Sequence, residues 1–306
     1  MPREVFGPQH AFLPPKSLLS FDEIHRIARI FVAAGVQKLR LTGGEPLLRP
    51  GLPELIAQLS AIPGVQDLAL TTNGSALPKL APALREAGLQ RLTVSLDALD
   101  PDTFARMSDA PIPVQTVLEG IQSARAVGFS PIRLNMVVQR GINQHQILPM
   151  AEAFAKPGFI LRFIEYMDVG HTNGWRFEHV VPASEILATL RSRFSPEPLP
   201  ARTPGETARR YRLPETDGEI GIIASVTAPF CRNCSRARIS AEGRLHTCLF
   251  GEAGLDLRQL LRSGVSDDSL LESIRSAWTQ RTDRYSELRS AQPATARKTE
   301  MSLLGG

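Results

Sequence analysis

Arg91-Leu92-Thr93-Val94-Ser95-Leu96-Asp97 is the stretch on which the fold turns. In an extended chain Leu92, Val94 and Leu96 fall on one side, and Thr93, Ser95 and Asp97 on the other. The same two-residue period recurs elsewhere. In 38–42, Leu39 and Leu41 oppose Arg40 and Thr42; in 131–138, Ile132, Leu134 and Met136 oppose Arg133 and Asn135. Strands are expected at about 38–42, 67–72, 91–97, 131–138 and 159–165, separated by helices at about 52–60, 78–87, 113–127 and 144–155. Strand, helix, strand at this spacing means parallel βαβ units. Five such strands in succession predict an α/β barrel, open or closed. A packed barrel interior would carry Val, Ile and Leu. This one carries Arg, Thr, Ser, Asp and Asn, which predicts a lumen shaped for a polar, anionic ligand. The competing arrangement, an antiparallel sheet with one wetted face, is disfavoured by the helical connections.

Outward from this alternation the signals are local. Residues 1–19 are irregular, with prolines at 2, 8, 14 and 15. Ser20, followed three residues later by Glu23, predicts a capping box for a helix with Ile24, Ile27, Ile30 and Phe31 on its apolar stripe and Gly35 at its end. Beyond the alternation come a helix near 182–193, a Pro-, Glu-, Arg- and Thr-rich stretch over 195–217 that reads as a loop or linker, and a strand at 218–225. Helices near 255–262 and 267–280 follow, then a polar tail from Ser286 to Gly305-Gly306.

The chain has 306 residues, enough for one barrel-sized domain or two domains, with 42% hydrophobic and 22% charged residues. Its formal net charge of +4 is too mild to argue for a nucleic-acid surface. Three cysteines, two of them in metal spacing, argue for a reducing cytosol rather than a disulfide scaffold, so a cytoplasmic protein is expected; no apolar run is long enough to span a membrane and the first thirty residues do not read as a signal peptide.

All three cysteines lie in one stretch: Cys231 and Cys234 form C-x2-C, and Cys248 follows after thirteen intervening residues. A C-x2-C turn places two thiolates on one side of a tight loop, where they can bind one metal. Three arrangements fit the spacing: an iron–sulfur cluster with three cysteine ligands and one free iron, a zinc site completed by His246, or three unrelated buried thiols. The cysteines alone do not choose between zinc and iron–sulfur.

Further motifs carry a resemblance. Thr42-Gly43-Gly44-Glu45-Pro46 follows the first strand of the alternation; its glycines let backbone approach a ligand and its acid can pair with an amine. With T-T-N-G at 71–74, S-L-D at 95–97, R-F-I-E-Y-M at 162–167 and the C-x2-C-x-R-A-R…C stretch, the whole chain resembles the radical S-adenosylmethionine GTP 3′,8-cyclases, which begin molybdenum-cofactor (molybdopterin) biosynthesis. The resemblance implies a partial (β/α)6 TIM-like barrel over residues 1–167 and a C-terminal region, 168–306, that bears a cluster and closes the barrel mouth. It implies a lyase that converts GTP to (8S)-3′,8-cyclo-7,8-dihydroguanosine 5′-triphosphate. Cys231, Cys234 and Cys248 would hold a [4Fe–4S] cluster whose open iron meets guanine. Arg40, Thr71, Arg133, Arg162, Arg236, Ala237 and Arg238 would surround GTP, and Gly44, Ser95 and Met167 would contact S-adenosylmethionine. Arginines suit phosphate because the guanidinium binds its oxygens in a fork. Position 133 departs from the family, which usually has lysine there. The resemblance further implies a homodimer, with cyclic pyranopterin monophosphate synthase as pathway neighbour.

One departure is larger. The family opens with a strand and C-x3-C-x2-C, the ligands of a second [4Fe–4S] cluster that binds S-adenosylmethionine. Neither is in these 306 residues. The expectation is therefore a barrel lacking its first strand, with five of six strands, one unpaired parallel edge and an open lumen. Such a chain is expected to be inactive in S-adenosylmethionine chemistry; the alternative is a non-catalytic GTP- or cluster-binding remnant.

Overall fold

The computed structural model describes residues 13–108, 111–170, 174–203, 205–251 and 254–289. The first regular helix is α1 (Phe21–Ala33). Ser20 Oγ accepts from Glu23 N and the Glu23 side chain accepts from Ser20 N, so the expected capping box forms. Then β1 (Lys38–Leu41), α2 (Leu52–Ser60), β2 (Asp67–Thr72), α3 (Leu77–Glu86) and β3 (Arg91–Ser95) alternate. Two helices, α4 (Pro101–Ser108) and α5 (Val114–Ala126), lead to β4 (Ile132–Val138). They are followed by α6 (Ile147–Phe154), β5 (Phe159–Glu165) and α7 (Ala183–Arg191). The sequence pattern missed α4, whose eight residues hold only two buried side chains, Thr103 and Phe104.

Strands β1 to β5 pair in order and in parallel. Five parallel strands were expected; the sheet has six. The sixth is β8 (Gly218–Ile223), which pairs in parallel with β5, Arg162 opposite Gly221. The stretch 195–217 is not simply a linker. It holds β6 (Glu197–Leu199) and β7 (Arg209–Leu213), which extend the sheet antiparallel beyond β8. Its arginines obscured the strand signal. In β7 Arg209 and Arg212 are exposed, but Arg210 between them is paired: it donates through Nε at 2.8 Å and Nη2 at 2.9 Å to Glu219 of β8. Strand β8 also fits closely against what precedes β5. A Cβ on Gly218 would lie 2.1 Å from the Ala155 carbonyl oxygen, so the position admits only glycine.

The two faces of the sheet differ as the alternation requires. Leu68, Leu70, Leu92, Val94, Leu134, Met136, Leu161 and Phe163 are buried in the main core beneath the helices. Arg40, Thr71, Thr93, Arg133, Asn135 and Arg162 lie on the other face. The architecture is α/β, a partial TIM-like barrel with a mostly parallel sheet.

The C-terminal region adds a two-stranded ribbon, β9 (Arg238–Ile239) and β10 (Leu245–His246), then α8 (Leu257–Arg262), α9 (Asp267–Thr279) and α10 (Tyr285–Leu288). A second core, with Ile27 and Ile30 from α1, Leu257 and Leu261 from α8 and Leu270 and Ile274 from α9, binds this region to the start of the chain. Arg26 Nε on Asp267 at 2.7 Å and Arg262 Nε on Glu23 at 2.7 Å rim it. The expected irregular start falls mostly outside the described residues, as does the tail after 289. Residues 286–288, read as the start of that tail, belong to the helical turn α10.

Candidate active site

The polar face of the sheet is built from the middle of each strand upward. Arg40 Nη1 donates to Thr71 Oγ1 at 2.8 Å and Thr93 Oγ1 at 3.2 Å, so one guanidinium crosses three strands. Below it, Arg91 forks through Nε and Nη2 onto both oxygens of Asp67. Arg133 stands beside Thr93 in register, and its Nε and Nη1 are buried without a hydrogen-bond partner. Asn135, in register with Ser95 on one side and Arg162 on the other, has its Oδ1 in the same condition. Arg162 faces Gly221, whose missing side chain leaves the arginine its space.

These cations share one field. Burial, together with Arg40 and Arg91, pushes the Arg162 guanidinium down to about 10. Burial, Arg91 and Arg238 likewise lower Arg40. Arg238 itself is pushed down to about 10 by burial and by Arg236, with the Cys234 and Cys248 thiols acting the other way. The arginine of the cysteine stretch is therefore electrostatically coupled both to the barrel arginines and to the thiols. Concentrated, desolvated positive charge of this kind is stabilised by an anion.

The cofactor-side residues of the resemblance sit at one rim. Gly44 follows β1, Ser95 is the last residue of β3, and Met167 lies two residues past β5, all at the C-terminal ends of parallel strands, where ligands bind in such folds. Glu45, read as an acid free to pair with an amine, is already engaged. It accepts from Thr72 Oγ1 at 2.7 Å, Asn73 N at 2.7 Å and Leu47 N at 3.0 Å, which locks the G-G-E-P turn to the T-T-N-G turn. The second turn is in turn pressed onto α5: a Cβ on Gly120 would come within 2.5 Å of the Gly74 carbonyl oxygen.

The three cysteines are free and half-buried. Burial acts to raise the Cys234 thiol, but Arg236, whose Nη2 donates to its Sγ at 3.3 Å, and Arg281 leave it lowered. Burial raises Cys248, and Asp283 and the other two thiols add to this. The donor chemistry suits a thiolate-bound metal, with cations beside the sulfurs to offset their charge. Among the described residues, however, no three His, Cys, Asp or Glu side chains converge as a metal-holding group. His246 is 2% exposed, pairs across the ribbon with Arg238 and keeps its Nδ1 unpartnered. Arg236 stacks over Phe230, 5.1 Å from the ring centroid, and Ala237 contributes only backbone and a methyl group.

Sequence reasoning passed over four residues of this site. Thr93 and Asn135 were on the polar face but carried no motif. Arg91 and Asp67 stand at strand starts, where a charge usually marks a solvated end. Their signal was position on the inward parity of β2 and β3.

A partial parallel barrel followed by a cysteine-bearing C-terminal region is matched by the models of two families, which place the chain in the radical S-adenosylmethionine class. The Radical SAM superfamily matches residues 6–154, and Molybdenum Cofactor Synthesis C matches residues 159–287. The GTP 3′,8-cyclase of Acidothermus cellulolyticus is 52% identical over an alignment of 332 residues, covering 100% of this chain and 91% of the relative. That of Xanthomonas campestris pv. campestris is 49% identical over 288 residues, 94% of this chain and 84% of the relative. The chain belongs to the GTP 3′,8-cyclase family. Among solved structures, Streptococcus suis SuiB superposes with a TM-score of 0.45 at 18% identity, over 57% of this chain and 38% of SuiB. Among the described residues no helix is long and apolar enough to cross a membrane.

Proposed function

We propose that this chain binds GTP in the barrel lumen and serves its conversion to (8S)-3′,8-cyclo-7,8-dihydroguanosine 5′-triphosphate. The observation that carries this reading is Arg133. Its Nε and Nη1 are buried with no protein acceptor, on the sheet face that also carries Arg40 and Arg162, where burial and neighbouring arginines lower both despite Asp67, Glu206 and Glu219 nearby. Buried donors without partners cost free energy unless a ligand satisfies them. A triphosphate supplies both the acceptors and the charge. Arg236 and Arg238 hold the ligand from the cap, and Thr71 presents a hydroxyl already fixed by Arg40. Cys231, Cys234 and Cys248 are the ligands of a [4Fe–4S] cluster that orients guanine. Gly44, Ser95 and Met167 form the S-adenosylmethionine side. S-adenosylmethionine, when bound at its own cluster, supplies the radical that takes hydrogen from C3′ of the ribose. On this reading residues 1–167 are the barrel and 168–306 the cap of a cytoplasmic homodimer, whose product passes to cyclic pyranopterin monophosphate synthase.

A second reading rests on the cysteine count. Three cysteines hold one cluster, so a polypeptide of these 306 residues is a GTP- and cluster-binding protein without turnover of its own. Anaerobic reconstitution tests both readings. The expected result is about four iron per chain for a single cluster, and none in Cys234→Ser. GTP should bind, and Arg238→Ala should weaken it by about 1.5–3 kcal/mol while leaving guanosine little changed. Equal losses for GTP and guanosine overturn the phosphate assignment, and zinc bound without iron overturns the cluster. 5′-Deoxyadenosine formed by the 306-residue chain with dithionite and S-adenosylmethionine overturns the second reading.

A further inference from the structure

Nine residues near the end of the described chain, 281–289, touch every segment that carries a cysteine. Arg281 stacks on Trp278, 3.6 Å from its ring centroid, and donates through Nη2 to the Cys234 carbonyl oxygen. Asp283 accepts from Thr247 Oγ1, the residue before Cys248. Glu287 lies 4.0 Å from Arg232, the residue after Cys231. Tyr285 stacks on Phe250, with ring centroids 4.6 Å apart. The strap's side-chain bonds to the barrel side centre on Asp168, which directly follows Met167; Arg289 Nη2 also reaches the Ser225 carbonyl oxygen at 3.5 Å. Asp168 accepts from Tyr285 Oη at 2.5 Å and from Arg289 Nε at 2.9 Å.

We propose that Asp168 is a positioning residue for the cysteine site: through Tyr285 and Arg289 it fixes the strap 281–289, and the strap holds the Cys231–Cys234 turn and Cys248 over the Met167 rim of the barrel. The proportions argue for orientation rather than bulk stability. Among the described residues the buried core at this junction is small, Val169, Phe250 and Tyr285, with Met167, Cys248 and Leu249 packed against it. The C-terminal region is already bound to α1 by a separate and larger core. The pair Asp168–Arg289 has side chains only 6% and 12% exposed. A buried ion pair contributes little net stability, yet losing one partner is costly, so it selects one geometry against others. Two separated anchors, α1 at one end and Asp168 at the other, leave the cap little freedom to tilt.

The inference rests on the cysteine ligand set proposed above, but its test needs neither iron nor GTP, so failure here leaves that reading untouched. In the metal-free 306-residue chain under reducing conditions, the rate of N-ethylmaleimide alkylation is followed at each cysteine by mass spectrometry. Amide exchange in β4 is followed in parallel as the measure of global opening. Asp168→Asn should speed alkylation of Cys234 and Cys248 at least fivefold with β4 exchange unchanged. Tyr285→Phe, which keeps the ring stack, should give a twofold to threefold rise, mainly at Cys248. Arg26→Ala, at the other anchor, should leave all three rates within twofold. A rise that β4 exchange matches means the residue only stabilises the fold and overturns the proposal, as do unchanged rates in both strap variants. If Asp168→Asn does not fold, Tyr285→Phe decides by the same comparison: a local rise at Cys248 upholds the strap, and its absence overturns it.

Discussion

Glu165 and Arg133 are charged residues on neighbouring strands of one sheet, and they meet opposite fates. Glu165 closes β5 on the core face and is 0% exposed, yet both its oxygens are engaged. It accepts from Ala183 N at 2.7 Å, Val226 N at 2.7 Å and Thr227 N at 2.8 Å, and from the Thr227 hydroxyl. In doing so it ties the end of β5 to the start of α7 and to the segment that runs on to Cys231. Arg133 stands on the lumen face with two buried donors and nothing to receive them. A charge satisfied by its own chain is part of the fold. One with buried donors left unsatisfied is kept for something that arrives.

The largest effect expected from this contrast is on Glu165. Glu165→Ala leaves three backbone N–H groups without their acceptor, that of Val226 buried and those of Ala183 and Thr227 partly buried. At about 1–3 kcal/mol for each orphaned group, partly relieved by relaxation, the loss should reach about 3–5 kcal/mol. It should appear as a lowered denaturation midpoint, with GTP affinity falling only through the unfolded fraction. Unchanged stability means that the 225–227 segment finds other acceptors and that Glu165 is not the knot described.

Arg133→Met should do the reverse. The substitution removes a poorly solvated cation and keeps much of the volume, so stability should hold or rise slightly. Affinity for GTP should fall about tenfold to a hundredfold, the worth of a charge-assisted hydrogen bond to phosphate. Isothermal titration and a denaturation curve on one preparation separate the two. A stability loss without an affinity loss places Arg133 in the fold and removes the observation on which GTP binding rests.

The contrast also shows what was legible in the sequence. Period-two alternation assigns Arg40, Thr93, Arg133 and Asn135 to the polar strand faces from sequence, because side-chain parity along a strand is local, whereas the family resemblance alone marks Thr71 and Arg162. The capping box at Ser20 and Glu23 was equally local. What escaped depends on partners distant in sequence. Nothing near Glu165 announces Val226 and Thr227, sixty residues on, nor does the arginine-rich 209–213 run reveal that Glu219 will pair with it inside a sheet. The sixth parallel strand escaped for the same reason: its apolar run was visible at 218–225, but its place beside β5 follows from Gly218 fitting under Ala155 and Gly221 against Arg162. The cysteines were found by spacing alone, and the strap that holds them by none.

Asp97 stands between the two extremes, and the smallest effect is expected there. Its Oδ1 accepts from Val137 N at 2.7 Å, and its own carbonyl oxygen accepts from Asn143 Nδ2 at 2.9 Å. Burial pushes its carboxyl up to about 6, and the bond from Val137 offsets this only in part. The folded-state value therefore lies above that of the unfolded chain, near 3.9. A group shifted in this direction contributes its stabilisation fully below about pH 4 and loses it as pH rises through about 6, because the folded state must then hold a poorly solvated carboxylate. Above pH 7 the penalty is on the order of 2 kcal/mol, discounted for the part of the side chain that reaches solvent. Asp97→Asn keeps an oxygen for Val137 N and cannot ionise. Its denaturation midpoint should match the parent chain near pH 4 and exceed it at pH 8, with the difference growing between those values. If instead the variant is less stable at pH 8, the Asp97 carboxylate is held by a partner it prefers ionised. Asp97 would then belong with Glu165 as a satisfied acid, and burial would not be what sets its titration.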